Sequence, residues 1–156
     1  MRIFGRYIVV FTLLIVATAH TTFAVDLEYI RKNYPLSTKD KSLCVSMIAQ
    51  LSKKIESDVH LAYLGAFQAI MANHVFSPLE KINTFNQGKK NIDKAVLQAP
   101  LNPEIRFIRL SIQKNTPAFL GYNKQIAEDE AFLKEKINTL SSVELKKQIT
   151  SLINSK

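Results

Sequence analysis

Tryptophan is absent from this chain and cysteine nearly so: 156 residues hold no Trp and one Cys, with three His. The lone Cys44 can form no intramolecular disulfide, so a bridge-stapled fold is excluded and stability must come from a core. No CxxC pair, no HExxH and no clustered Cys/His spacing occurs, which removes the familiar zinc signatures. A phosphate loop, a nucleophile motif in its required context and a paired-carboxylate signature are missing too. No stretch reads as a convincing strand. These absences point to a non-enzymatic protein, with no cofactor, no metal ligands and no catalytic residues expected.

What is present begins with a leader-like segment. Arg2 and Arg6 precede an uncharged apolar run, Tyr7–Ala19, and Thr22-Phe23-Ala24 approximates a small-x-small cleavage site. The expectation is a signal peptide over residues 1–24, cleaved near Ala24, followed by one domain over residues 25–156. The apolar run is shorter than the roughly 20 residues a spanning helix needs. A retained membrane anchor over residues 7–24 is the alternative. Without Arg2 and Arg6, the 21 basic residues become 19 against 13 acidic, a net charge of +6. Nucleic acid is not the expected partner, because the lysines are spread out and no aromatic-basic interleaving appears. Membrane contact is expected only if the leader stays attached.

The chain is organised around Ser57–Phe76. Val59, Leu61, Leu64, Phe67, Ile70, Met71 and Val75 spread round a helical axis, and a helix apolar all round is a buried one. Ala62, Gly65, Ala66, Ala69 and Ala72 would let other helices come close. Before this hub, Leu27, Ile30 and Tyr34 mark a short helix ended by Pro35. Ser37 to Asp40 approximates a capping box, and Cys44, Ile48, Leu51 and Ile55 recur at helical spacing. A free thiol buried among them is expected at Cys44.

After the hub, Ser77-Pro78-Leu79-Glu80 combines an N-cap, Pro at the first position and Glu at the third. Leu79, Ile82, Phe85, Ile92, Ala95 and Val96 give that helix its buried stripe. Gly88 marks a close contact or a break, and Lys89, Lys90 and Lys94 form a wet face. Asn102-Pro103-Glu104 starts another helix to about Lys114. A further helix is expected from about Asn123 to Thr139. Ser141 to Glu144 caps the last, which turns Leu145, Ile149 and Leu152 inward. The sum is all-α, about seven helices in stacked antiparallel hairpins.

Gly88, Ile92, Ala95 and Pro100 fall at the spacings of the second helix of a tetratricopeptide repeat, and Leu64-Gly65 resembles the Leu-Gly pair of its first helix. The resemblance covers about residues 61–115 and departs from the family in its longer, irregular helices. It implies a scaffold that binds peptides or proteins. Asn102–Leu110, followed by Pro117–Tyr122, also resembles a segment of small exported proteins of Bacteroidota; that likeness implies export and brings no activity.

Arg106, Arg109 and Gln113 share roughly 60° of one helix face. Two arginines on an otherwise apolar helix require partners. Internal pairing would use Glu80, Asp93 or Asp129. An exposed concave patch would grip a carboxylate or phosphate of a ligand or peptide. With Tyr122, these three residues form the expected contact set of a groove that binds a protein, a peptide or an anionic small ligand. The alternatives are a lipid or small-molecule carrier with a cavity lined by Phe67, Met71, Phe107 and Phe119, and an enzyme using His60 or His74. Those histidines lie about 21 Å apart along the hub and cannot share a metal ion. Glu128-Asp129-Glu130 reads as a solvated acidic face at a helix start, with Glu130 pairing Lys134.

Overall fold

The structure, a computed structural model, describes residues 25–155. The expected leader or anchor therefore lies outside the described residues. Seven α-helices and no strand occur among those described: α1 (Leu27–Asn33), α2 (Lys41–Lys53), α3 (Asp58–Met71), α4 (Pro78–Gln98), α5 (Pro103–Lys114), α6 (Ile126–Lys136) and α7 (Val143–Asn154). Short 3-10 turns at Pro35–Thr38, Ala72–His74, Ala118–Leu120 and Ile137–Thr139 complete the order. No helix among the described residues is long and apolar enough to cross a membrane.

Caps explain most of the boundaries. Asp26, Asp40, Ser57, Ser77, Asn102 and Ser142 each accept a backbone N–H from the first turn that follows, satisfying donors that the helix itself leaves free. Two expected caps shift. Asp40, not Ser37, caps α2; Ser37 sits in the preceding 3-10 turn, where its Oγ donates to the Tyr34 carbonyl. Ser142, not Ser141, caps α7. The hub ends at Met71 and tightens into a 3-10 turn, leaving Phe76 95 % exposed. α6 begins three residues later than expected, after the left-handed Gly121 (φ 65°) and a turn at 124–125.

α3 is buried along every residue from Val59 to Ile70 and touches α2, α4 and α5. Its contact with α4 is backbone on backbone. A Cβ on Gly65 would lie 2.6 Å from the Gly88 carbonyl oxygen and 2.9 Å from the Ile92 nitrogen. A Cβ on Gly88 would collide with the Gly65 carbonyl and the backbone of Ala69. Gly65 faces Ile92 while Ala69 faces Gly88, so the two helices run antiparallel. Asn91 Nδ2 donates to Gln68 Oε1 at 2.7 Å beside this crossing.

On the opposite side of α3, Tyr34 meets Tyr63, Phe67 and Phe107 edge-on, with ring centroids 5.5–6.2 Å apart. The Tyr34 hydroxyl bonds Ser111 Oγ at 2.5 Å, and Ser111 in turn donates to the Ile108 carbonyl. Cys44 is fully buried, as expected, with its Sγ 3.2 Å from the Phe67 carbonyl. Ile55 falls beyond the end of α2 and is exposed instead of buried.

This core makes stability sensitive to a methyl at Gly88 and to alkaline pH. In Gly88→Ala, the gain in helix propensity of about 1 kcal/mol is outweighed by the backbone clash, because neither Gly65 nor Ala69 has a side chain that can move aside. A net loss of about 2 kcal/mol is expected, read as a lower urea midpoint. The second concerns pH. Burial raises the Cys44 thiol from 9.0 to about 11 and the Tyr34 hydroxyl from 10.0 to about 12. The unfolded chain therefore releases these protons first. Their stabilisation is fully present below about pH 9 and is lost as the pH climbs through 11 and 12. Urea midpoints should fall over that range, and Cys44→Ala should flatten the first part of the fall.

Candidate functional site

α5 carries the densest polar chemistry of the protein, and all of its residues from Glu104 to Gln113 are buried. Its first turn is clamped by one network. Arg31 of α1 donates to both carboxylate oxygens of Glu104, Nε at 2.7 Å and Nη2 at 2.6 Å. The Tyr63 hydroxyl of α3 donates to the same carboxylate at 2.9 Å. Burial, then the Glu104 charge, pushes the Tyr63 hydroxyl well above its ordinary value. The bidentate bond to Glu104 raises the Arg31 pKa against the opposing effect of burial. Glu104 also lies in the first turn of α5, where the helix dipole favours a carboxylate.

The middle of α5 is clamped by a second network. Asp129 of α6 is fully buried. It accepts from Arg106 Nε at one oxygen, while Arg109 reaches both oxygens, each at 2.7 Å. Arg106 continues to Glu128 and lies over the Phe132 ring, 4.9 Å from its centroid. Burial opposes the Arg109 charge, but the bonds and charge of Asp129 outweigh it and raise its pKa. The acidic run is thus not a uniformly solvated face. Asp129 points inward to neutralise two arginines, Glu128 stays largely exposed, and Glu130 pairs with Lys114 at 3.1 Å instead of Lys134.

This geometry redistributes the four residues expected to form one exposed contact set. Arg106, Arg109 and Gln113 are 7 %, 8 % and 1 % exposed and face inward, because Asp129 and Gln125 meet them from α6 and the loop before it. Gln113 Nε2 donates to Gln125 Oε1 at 2.8 Å. Tyr122 is buried too, donating to Asp93 Oδ1 at 2.8 Å and stacking edge-on against Phe85. Burial, then Asp93, raises its hydroxyl pKa. Arg109 and Tyr122 nevertheless meet at one cleft of about 400 Å³, with Lys89, Asp93, Lys124 and Gln125 on its walls. Arg106 and Gln113 do not line it.

A larger groove of about 1060 Å³ opens on the other side of the Ala118–Tyr122 segment. Its lining includes Ile70 from the end of α3, Ile82 and Phe85 of α4, Phe107 and Ile112 of α5, and Phe119. Lys81, Ile82, Phe119 and Lys147 are exposed, so the groove is open along its length. Ile82 and its neighbour Leu79, read from periodicity as buried, are exposed at this end of α4. Of the four residues expected to line a carrier cavity, Phe107 and Phe119 do so; Phe67 and Met71 do not. Phe67 is instead fully buried in the core.

The histidines bond locally. His60 Nδ1 lies 2.8 Å from Ser57 Oγ and its Nε2 lies 3.0 Å from the Val25 carbonyl, while His74 Nε2 meets the Ser37 carbonyl at 2.9 Å. A carbonyl only accepts, so both Nε2 atoms donate. Among the described residues, no group of three His, Cys, Asp or Glu side chains is placed to hold a metal ion.

Sequence reasoning missed most of both cavities. Lys89 read only as a wet-face residue, and nothing in the chain joined it to Lys124 across 35 positions. Asp93 was named as a possible partner of the α5 arginines, but it accepts from the Tyr122 hydroxyl instead. No family model, no curated protein and no solved structure matches the chain.

Asp129→Asn should destabilise the protein by about 3 kcal/mol or more, since it leaves two buried arginines against a neutral amide. Glu128→Gln, at a side chain 62 % exposed, should cost under about 0.5 kcal/mol. Paired urea titrations measure both.

Proposed function

We propose that this is a non-enzymatic binding domain that seats an amphipathic helical segment of a partner protein in the open groove between α3, α4, α5 and α7. The observation that carries the reading is the groove itself. It has about 1060 Å³ of space, an apolar floor of Ile70, Phe85, Phe107 and Ile112, and a Phe119 ring that is 85 % exposed at its edge. An isolated large apolar side chain on a surface is ordinary, but one beside an apolar groove is an anchor for association. Helix-in-groove recognition uses this arrangement, with apolar residues at i, i+3, i+4 and i+7 of the guest entering the groove.

The openness of the groove favours a protein segment over a carried small molecule. A small-molecule site covers most of its ligand's surface, whereas Lys81, Ile82, Phe119 and Lys147 leave this one open to solvent. Peptide binding also agrees with the tetratricopeptide resemblance of residues 61–115, and action outside the cytoplasm agrees with the leader-like residues 1–24. Arg106 and Gln113 serve here as supports of the groove wall through α5 and not as contacts.

Selection from a displayed library of helical peptides tests the reading. Enriched sequences should share an apolar i, i+3/i+4, i+7 stripe. Their affinity should fall about tenfold or more in Ile82→Ser and Phe119→Ser, with the melting temperature unchanged. No enrichment above background, or affinity that survives both substitutions, contradicts it. A stoichiometric apolar small molecule extracted from the purified protein would favour the carrier alternative.

A further inference from the structure

The smaller cleft carries an inference independent of the groove. Its back wall is Arg109, whose side chain is nine-tenths buried. Asp129 takes two of the guanidinium donors, Nε and Nη2, and holds the plane in one orientation. Nη1 donates to no acceptor among the described residues. Lys89 stands on one side wall with its Nζ 5.1 Å from the Tyr122 ring centroid. Among the described residues it forms no ion pair, not even with Asp93 one turn along α4, whose carboxylate instead accepts from the Tyr122 hydroxyl. Lys124 is exposed and has no hydrogen bond or ion pair among the described residues. Gln125 accepts from Gln113 at its Oε1, which leaves its amide N–H groups for the cleft.

Three cations therefore line the cleft with one carboxylate, Asp93, on its wall and a second, Asp129, behind Arg109 and shared with Arg106. In a protein with 13 acidic residues, neither lysine has a carboxylate partner among the described residues; Lys89 packs its ammonium over the Tyr122 ring, and Lys124 packs on nothing. Lys124 adds nothing to the fold that its neighbours require, and like charges brought to one cavity cost energy until an anion joins them. The backbone turn that makes the cleft is itself specific. Gly121 takes a left-handed conformation (φ 65°), which turns the chain so that Tyr122 packs inward and Lys124 stays at the rim.

We infer that this cleft is a binding site for a small doubly charged oxyanion, inorganic phosphate or a phosphate monoester. Arg109 Nη1, the two ammonium groups and the Gln125 amide supply its donors. Guanidinium and ammonium groups form the stronger, charge-assisted class of hydrogen bond to phosphate oxygens. Asp93 limits the site to anions that avoid its wall, and it disfavours a bulky polyanion. Burial of the Arg109 side chain lowers the local screening, so its contact should survive moderate salt better than a contact to surface lysines alone.

The test is a titration of the full folded protein, followed by amide and arginine Nε NMR shifts at constant ionic strength and about pH 7.5. Inorganic phosphate and glycerol 3-phosphate are the ligands, with sodium chloride as the control. Phosphate should give saturable shifts confined to residues 121–125, Lys89 and Arg109, and chloride should not. If the natural ligand is a phosphomonoester, glycerol 3-phosphate should bind at least as tightly as phosphate; weaker binding assigns the site to the free ion. Lys89→Met with Lys124→Met should weaken binding about tenfold or more, with a fall in melting temperature no larger than loss of the Lys89 contact with the Tyr122 ring produces. Lys124→Glu, at an exposed and partnerless position, should weaken it on its own even if the double variant folds poorly. Shifts that rise linearly without saturating, or that persist unchanged in Lys124→Glu, would overturn the proposal and leave an adventitious ion only.

Discussion

Two glycines decide how closely the central helices can approach. Gly65 of α3 and Gly88 of α4 present bare backbone to each other, and no residue with a Cβ fits at either position without displacing main chain. Interior packing is dense and yields little, so this crossing fixes the spacing of α3 and α4. Much else follows from it. α3, held on one side by α4, is enclosed on the others by α2 and α5, which is why its apolar residues can point in every direction. The Asn91–Gln68 bond satisfies the polar groups that the close approach would otherwise strand.

α5 is the second organising element, and its arginines are there to be neutralised. One carboxylate, Glu104, joins it to α1 and α3 through Arg31 and Tyr63. A second, Asp129, joins it to α6. Desolvation cancels much of the attraction in such buried pairs, so they add less to net stability than their bond lengths suggest. Their effect is on geometry. A helix with two charged attachment points has one rotation and one register in which every charge is paired, and alternatives leave a buried ion exposed to a low dielectric. The same attachment points place Phe107 and Ile112 in the groove and Arg109 in the cleft. The two cavities share a wall: Phe119 and Leu120 face one, Gly121 and Tyr122 the other, and Phe85 of the groove stacks on Tyr122 of the cleft.

How much of this was legible in the amino-acid order depends on the range of the interaction. Caps and starts were readable because they are local: Ser77-Pro78 and Asn102-Pro103 act on the next few residues. The small face of the hub and Gly88 both signalled close approach, though their pairing could not be read from either alone. The polarity of α5 pointed correctly to residues that need partners, and Asp129 was among the named candidates. The direction was not legible. An acidic triplet at a helix start looks solvated whether or not one member turns inward, and only the docking of α6 on α5 decides it. Residues Ile82, Phe119 and Ser151 meet in the groove from three distant segments, and no local spacing encodes that. Leu79 and Ile82 continue the apolar period of α4 past the point where any helix covers them, so periodicity called for burial where the tertiary structure leaves an opening.

A backbone-on-backbone crossing that fixes the spacing of the core should make α3 and α4 the last helices to part. Native-state hydrogen exchange measures this residue by residue. The amides of Ala69 and Ile92 should exchange only through global unfolding, with a free energy equal to that from urea titration. Those of α7 and the 118–122 turn should exchange through smaller, local openings. Exchange at Ala69 or Ile92 through an opening well below the global value, or α7 amides protected as strongly as these, would contradict the account.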